Sequence, residues 1–190
     1  MQLGTVLTAP ACRGQGLSRA LMERVLADWR EGCDLVFLFA NNSVLDFYPR
    51  FGFVPLTEQE TAFPLEAGRP RLPVRRLDMA DEGDRALLVR MAETTAPQGV
   101  LSMVRNPQLV MFYCQCFEGL PFREQVYWLE SLPAAVVARQ EGDTLVISDI
   151  FSPAVQDVRA VAAALAKPGI SRAVPEFLPA GPWPDRKSVV

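Results

Sequence analysis

The first sixty residues alternate continuous apolar runs with a helical spacing of apolar positions. One run covers residues 3–8, and a second, residues 34–40, has the length and aromatic content of a strand buried in a parallel sheet. Between the runs, apolar side chains recur along one helix face, at Leu17, Ala20, Leu21, Val25 and Leu26. The pattern predicts a strand, a helix that ends near Gly32, and a second strand.

Two shorter elements follow the second run. Ser43 is a good N-cap residue, so we expect a short helix from there through Tyr48 that ends near Gly52. Residues 53–56 then return to extended chain.

The pattern changes after residue 62. Residues 63–74 are rich in proline and arginine, which predicts a linker between a first domain at 1–62 and a second module at 75–190. Within that module the pattern predicts helices at 78–95, 107–117 and 155–166, a hairpin at 134–151, and an extended proline-rich tail from 175.

The order strand, helix, strand occurs twice, at 5–40 and again at 144–177. The second copy has no glycine loop between its first strand and its helix. We interpret the two as a duplicated α/β (α+β) architecture in which only the first copy kept an anion site. Chance similarity of two α/β segments is the alternative.

Composition narrows the function classes. A chain of 190 residues that is 49% hydrophobic and 22% charged is globular, with one domain or two small ones. The net charge of −3 argues against a nucleic-acid partner, which needs a basic surface. No apolar run approaches the ~18 residues that span a bilayer, so we expect a cytoplasmic protein with no membrane partner.

The chain contains no histidine and four cysteines. The lack of histidine removes the usual general base, the usual zinc ligand and the nucleophiles that histidine activates. Cys114 and Cys116 are separated by one residue, and no second cluster completes a metal site. We therefore expect no metal and reduced, structural thiols.

Residues 13–18, Arg-Gly-Gln-Gly-Leu-Ser, precede the predicted helix. The first amides of a helix lack intrahelical partners and carry a partial positive charge, and glycines let the backbone approach an anion. A P-loop would need a lysine here, and a dinucleotide-binding loop would need a third glycine. An ordinary strand-to-helix turn is the other interpretation of the loop alone.

The downstream residues add a more specific pattern. The loop Arg13-x-x-Gly16-x-Ser18, a helix, an apolar strand, Asn41 and then DFYPRFGF at 46–53 resemble the acyl-CoA-binding core of the GNAT acetyltransferase superfamily. The resemblance covers residues 4–56, and Ser18 stands where glycine or alanine is usual. It implies a mixed, partly open GNAT-type sheet flanked by helices, with residues 75–190 as a smaller, degenerate GNAT-like module.

The resemblance also implies roles for particular residues in binding acetyl-CoA. Backbone groups of Val6 and Leu7 would face the pantetheine arm, and Asn41 would bond to it. Tyr48 would protonate the departing thiolate as general acid. The pyrophosphate would be held by backbone amides of Arg13, Gly14, Gln15, Gly16, Leu17 and Ser18. Asn41 as a turn residue and Tyr48 as a packed helix residue are the structural alternatives.

The implied reaction is direct acetyl transfer from acetyl-CoA to an amine. A phenol with a pKa of about 10 is protonated at pH 7 and can supply a proton to a thiolate. An alkyl ammonium must first lose a proton, yet the segment 2–8 carries no acid or histidine. The base is therefore unassigned, and the acceptor is a small-molecule or peptide amine that the sequence does not identify.

The chain starts almost at the predicted central strand. We expect a longer natural protein that has lost its N-terminal part, or a cover for that strand's open edge. The hairpin at 134–151 and a second copy, giving a homodimer, are the candidate covers. Two rival functions follow: an acyl-CoA sensor or assembly module without catalysis, and a nucleotide-binding protein that uses the same loop.

Overall fold

The computed structural model describes residues 1–4, 6–56, 61–65, 72–116 and 121–180. The chain divides into two compact units, Met1–Thr57 and Glu58–Val190. This division lies five residues before the predicted end of the first domain at residue 62. We call them the first unit and the second unit and describe each by itself.

The first unit is built around helix α1, Leu17–Trp29. Three short 3₁₀ turns accompany it, at Pro10–Cys12, Asn42–Val44 and Tyr48–Phe51. The two apolar runs meet in parallel at one bridge between Gln2 and Phe37, where the Leu3 amide donates to the Phe37 carbonyl at 2.9 Å. The predicted parallel orientation is therefore confirmed, although α1 ends three residues before Gly32.

The predicted burial of the second run is wrong. Leu35 is 53% exposed and Phe39 is 72% exposed. Among the described residues of this unit, Met22 is the one buried apolar side chain. A continuous apolar run is buried only where layers cover both faces of the sheet, and a single bridge beside one helix does not provide two such layers.

The helix predicted from Ser43 through Tyr48 is also corrected. Two separate 3₁₀ turns occupy the region, and the first is capped by Asn41, whose Oδ1 accepts from the Ser43 amide at 3.0 Å. Asn41 outcompetes Ser43 as the cap because its carbonyl oxygen reaches the amide two residues on, which closes an Asx turn.

The second unit contains an open, mixed six-stranded sheet with the order β1-β6-β5-β4-β3-β2. All neighbouring strands are antiparallel except β5 and β6, which are parallel. The strands are β1 Phe63–Pro64, β2 Val74–Arg76, β3 Val126–Leu129, β4 Ala134–Glu141, β5 Thr144–Phe151 and β6 Arg172–Pro175.

Helices cover both faces of this sheet. One core packs α4, Val158–Leu165, against a face of β4 and β5 that carries Val136 and Ile147. The other core packs α2, Glu82–Thr94, against the opposite face, with Leu88 and Val137 buried in it. Helix α3, Pro107–Met111, continues as a π-helical turn, Phe112–Cys116, which adds Cys114 to the second core.

These elements confirm the predicted helices and hairpin but correct the linker. Phe63 and Pro64 form β1 and pair with Ala173 and Arg172, because Phe63 is an apolar residue with a place in the α4 core. Val74, the last predicted linker residue, begins β2. Residues 66–71 and the tail from 181 lie outside the described residues.

The hairpin cannot cover an open strand edge elsewhere. Strand β4 lies between β3 and β5, and β5 lies between β4 and β6, so neither strand is at an edge of the sheet. The predicted cover of residues 3–8 by this hairpin is thus wrong, since its two strands are already paired with neighbours on either side.

The middle of the hairpin contains a β-bulge at Ser148. Val137 pairs with Asp149 while the next residue, Ala138, pairs with Ile147, so Ser148 is the extra residue. Its hydroxyl donates to Glu176 Oε2 at 2.6 Å, and Arg139 bonds to both. The Arg139 hydrogen bond lowers the pKa of Glu176, so the three side chains bind β4, β5 and the end of β6 together.

No helix among the described residues is long and apolar enough to cross a membrane.

Candidate functional site

The glycine loop takes the backbone conformation that only glycine adopts without strain. Gly14 has φ of 76° and Gly16 has φ of 74°, and Gly16 is the N-cap of α1. A Cβ added at either position would meet no atom within 4 Å. Glycine is therefore required here by the left-handed conformation, and the space beside it is open to a ligand.

Side chains on either side of the loop hold it in place. The hydroxyls of Thr8 and Ser18 hydrogen-bond each other, and Arg13 Nε donates to the Thr8 carbonyl at 3.3 Å. Thr8 thus ties the end of the first apolar run to the first turn of α1. Thr8 was not among the predicted site residues. The hint in the sequence was the pair of hydroxyl residues, Thr8 and Ser18, that flank the loop ten positions apart.

The N-terminus of α1 differs from those of the other helices. Gly16 supplies no side-chain cap, and the first turn of α1 holds no acidic residue. In α2, α3 and α4 a first-turn amide is bonded by the side chain of Asp81, Asn106 or Asp157. Among the described α-helices, α1 is the one whose first-turn amides have no side-chain partner. Arg13, in the loop that precedes α1, adds a positive charge beside these amides.

A cleft of about 390 Å³ lies between the first apolar run and α1. Its walls are mostly apolar and include Val6, Leu7 and Leu17, with Ser18 at the loop end. Cys12 is exposed and also lines this cleft. The structure therefore brings together four of the predicted site residues beside the glycine loop.

Asn41 and Tyr48 are not among the described residues that line this cleft. Asn41 is exposed, and its Oδ1 accepts from both the amide and the hydroxyl of Ser43 at 3.0 Å. Asn41 therefore has the role of a turn residue, which was the alternative to its role in binding a ligand. Both hydrogen bonds are accepted by the side-chain oxygen of Asn41, and neither involves its amide nitrogen.

Tyr48 lies in an aromatic cluster. Its half-buried ring meets those of Phe47 and Phe53 edge to face, at centroid distances of 5.3 and 6.0 Å. Arg19, in the first turn of α1, places its guanidinium 5.9 Å from the ring centroid of Phe51. This cation–π contact joins the turn that carries Tyr48 to the helix that carries the loop.

The second unit has its own ionisable pair near the bulge. Burial raises the pKa of Asp149 to about 6, although its Oδ1 accepts from the Ile150 amide at 2.8 Å. Burial, with the charge of Asp149 added, raises the pKa of the Cys114 thiol to about 12. Sequence reasoning missed this pair because the two residues are 35 positions apart and meet only across the sheet face.

No group of three or more His, Cys, Asp and Glu able to hold a metal ion occurs within the described ranges.

Comparison with known proteins identifies relatives by sequence. The sequence model of the acetyltransferase (GNAT) domain matches residues 2–55. Serotonin N-acetyltransferase 2, chloroplastic, from Oryza sativa subsp. japonica is 45% identical over 49 residues, which are 25% of this chain and 24% of that enzyme.

Solved structures match nearly the whole chain. Eis1 from Mycobacterium abscessus aligns with a TM-score of 0.54 at 21% identity over 91% of this chain and 47% of its own. A GCN5-related N-acetyltransferase from Kribbella flavida aligns with a TM-score of 0.50 at 20% identity, over 95% and 46%. The chain spans about half the length of these structures and about a quarter of the plant enzyme.

Proposed function

We propose, from the match of residues 2–55 to the acetyltransferase (GNAT) domain, that the chain carries the acyl-CoA site of an N-acetyltransferase. The open, mixed sheet of the α/β fold matches that of the GNAT structures. The acceptor is an amine. Acetyl-CoA, the acyl donor in this proposal, supplies a thioester whose carbonyl carbon the amine attacks.

The observation that carries the proposal is the uncapped N-terminus of α1. Its first-turn amides have no side-chain partner, the preceding glycines leave open space, and Arg13 adds a positive charge. A pyrophosphate satisfies free amides at the positive end of a helix dipole. The residues from Arg13 to Ser18 therefore fit the anionic part of coenzyme A.

The remaining roles are those that the resemblance to the GNAT family implies. Val6 and Leu7 line the cleft that leads away from the loop, where an extended backbone can bond to the amides of pantetheine. We assign Tyr48 as the general acid, whose phenol protonates the leaving thiolate. The edge-to-face rings around Tyr48 limit the directions its hydroxyl can take, which favours one productive orientation.

Binding of acetyl-CoA tests the loop. We expect acetyl-CoA to bind the full chain in calorimetry and to raise its melting temperature. Gly16→Ala should weaken that affinity about tenfold or more, because an alanine at this φ is strained by about 1–2 kcal/mol and the loop must change shape.

Gly142→Ala is the matched control. Gly142 has φ of 60° in the hairpin turn of the second unit, so the substitution strains the backbone in the same way but leaves the loop intact. Equal loss of affinity in both variants, or no binding by the wild type, would refute the proposed site. Release of coenzyme A with an amine panel, in wild type and Tyr48→Phe, then tests catalysis.

A sensor or assembly role is the second candidate, favoured by one observation. No acidic side chain among the described residues lines the cleft or the glycine loop. The site therefore has no assigned general base. Binding of acetyl-CoA without release of coenzyme A on any amine would support this role over catalysis.

A further inference from the structure

A second concavity lies in the second unit. A cavity of about 550 Å³ opens on the face of the sheet that α4 covers. Helix α4 has eight residues and ends at Leu165, so the sheet continues past its last turn. Small-molecule sites usually measure ~300–1,000 Å³, and the cavity falls within that range.

The floor of this cavity is apolar. Ala138, Leu145 and Leu165 are buried, and each contributes to both the α4 core and the cavity wall. Half-buried Tyr127 and Ile170 extend the apolar surface on either side. A floor of this kind receives a hydrocarbon chain and releases water from it.

The walls carry positive charge that no acidic side chain of the described residues neutralises. Arg76 and Lys167 line the cavity, and neither has an acidic partner within the described part of the chain. Arg139 also lines it, but its guanidinium is held by Glu141 and Glu176. None of the described lining residues is acidic.

We propose that this cavity binds an amphipathic anion, an aliphatic carboxylate of medium chain length. The hydrocarbon chain lies on the floor formed by β4, β5 and the end of α4. The carboxylate is bound by Arg76 and Lys167, whose charges exclude an aliphatic amine and leave a neutral alcohol with weaker bonds. The described lining residues all belong to the second unit, and binding there does not depend on acyl transfer.

Dodecanoate, used below its micelle concentration, is the probe. We expect it to bind the full chain in calorimetry and to shift the backbone amide signals of Tyr127, Ala138 and Lys167 in ¹H–¹⁵N spectra. The double variant R76Q/K167Q should bind about tenfold or more weakly, because two charge-assisted contacts are lost. Arg90→Gln, which removes an exposed arginine of α2 outside the cavity, should bind as the wild type does.

Two comparisons make the test independent of any one variant. Ala166→Phe places a ring in the cavity and should abolish binding, with thermal melts confirming that the variant folds. Dodecylamine should bind far more weakly than dodecanoate. Equal binding of the amine, shifts confined to the exposed apolar residues Val6, Leu7 and Leu21 of the first unit, or no binding of dodecanoate would overturn the proposal.

Discussion

At the scale of single residues, Asp149 has the clearest energetic consequence. The ordinary pKa of an aspartate is about 3.9, and burial raises that of Asp149 to about 6. The folded state therefore holds this proton at pH values where the unfolded chain has released it. The contribution of Asp149 to the free energy of unfolding is fully present below pH ~4 and is lost as the pH rises towards 6. Above that pH the contribution does not return.

Asp149→Asn should remove this loss of stability. The amide keeps an Oδ1 acceptor for the Ile150 amide and never carries a charge. We expect the variant to exceed the wild type by about 3 kcal/mol in free energy of unfolding at pH 8 and to match it near pH 4. Urea unfolding across this range measures the difference. Asp157→Asn, at the exposed cap of α4, is the matched Asp-to-Asn control, and a constant Asp149→Asn difference would contradict the assignment.

Residue roles were predictable where they depend on neighbours in sequence. Gly14 and Gly16 were identified as loop glycines because a strand run and a helix pattern flank them. The choice of Asn41 over Ser43 as cap was missed, since both are good caps and only the backbone path decides between them. Asp149 was missed altogether, because its pKa depends on burial beneath an element distant in sequence.

At the scale of elements, α1 combines an exposed start with a weakly buried body. Leu17 is 49% exposed and Leu21 is 64% exposed, so burial contributes little to its stability. Its first turn also lacks the capping bond that α2 and α4 have. The helix therefore keeps an unsatisfied positive end, at some cost in stability, which an anion can relieve.

Ser18→Asp should separate helix stability from anion binding. A carboxylate in the first turn stabilises the helix dipole by about 0.3–1 kcal/mol, so thermal stability should equal or exceed that of the neutral control Ser18→Asn. The same charge repels a pyrophosphate, and acetyl-CoA should bind about tenfold more weakly to Ser18→Asp. Added salt should narrow that gap. Calorimetry that finds equal affinities at low salt would be incompatible with an anion at this turn.

Secondary-structure elements were predictable where the residues that stabilise them are close in sequence. The hairpin was found because its strands are adjacent and Gly142 makes the turn between them. The burial of residues 34–40 was wrong, since burial depends on which layers cover a strand and not on its composition. Phe63 and Pro64 were assigned to a linker because proline and arginine dominate the segment, while their pairing with β6 spans more than a hundred residues.

At the scale of the whole molecule, the two units differ in how much core they contain. Both hydrophobic clusters lie in the second unit, one on each side of its sheet. The first unit contributes Met22 to the buried apolar residues in the described ranges. Burial of apolar surface is the main stabilising term in folding, so we expect the second unit to supply most of the free energy of unfolding.

A fragment comprising residues 58–190 should therefore fold by itself. We expect a cooperative thermal transition, circular dichroism of a mixed α/β protein, and the pH dependence that Asp149 causes in the full chain. The fragment 1–57 is the matched comparison, and we expect no cooperative transition from it. A fragment 58–190 without such a transition would show that the first unit supplies stability that its few buried residues do not indicate.

The extra residue at Ser148 shifts the alternation of side chains between the two faces of β5 by one position. In an uninterrupted strand, Ile147 and Ile150 would face opposite sides of the sheet, yet both belong to the α4 core. The bulge allows this while Asp149, opposite Val137, and Phe151 face the α2 side. Straightening the strand with all of its residues kept would send Asp149 into the α4 core and Ile150 out of it, whereas deletion of Ser148 would leave both on their present sides. Among relatives, a gap at this position should therefore coincide with loss of the bulge and leave the occupants of both cores unchanged, and alignments of this strand should be judged by which face each side chain takes.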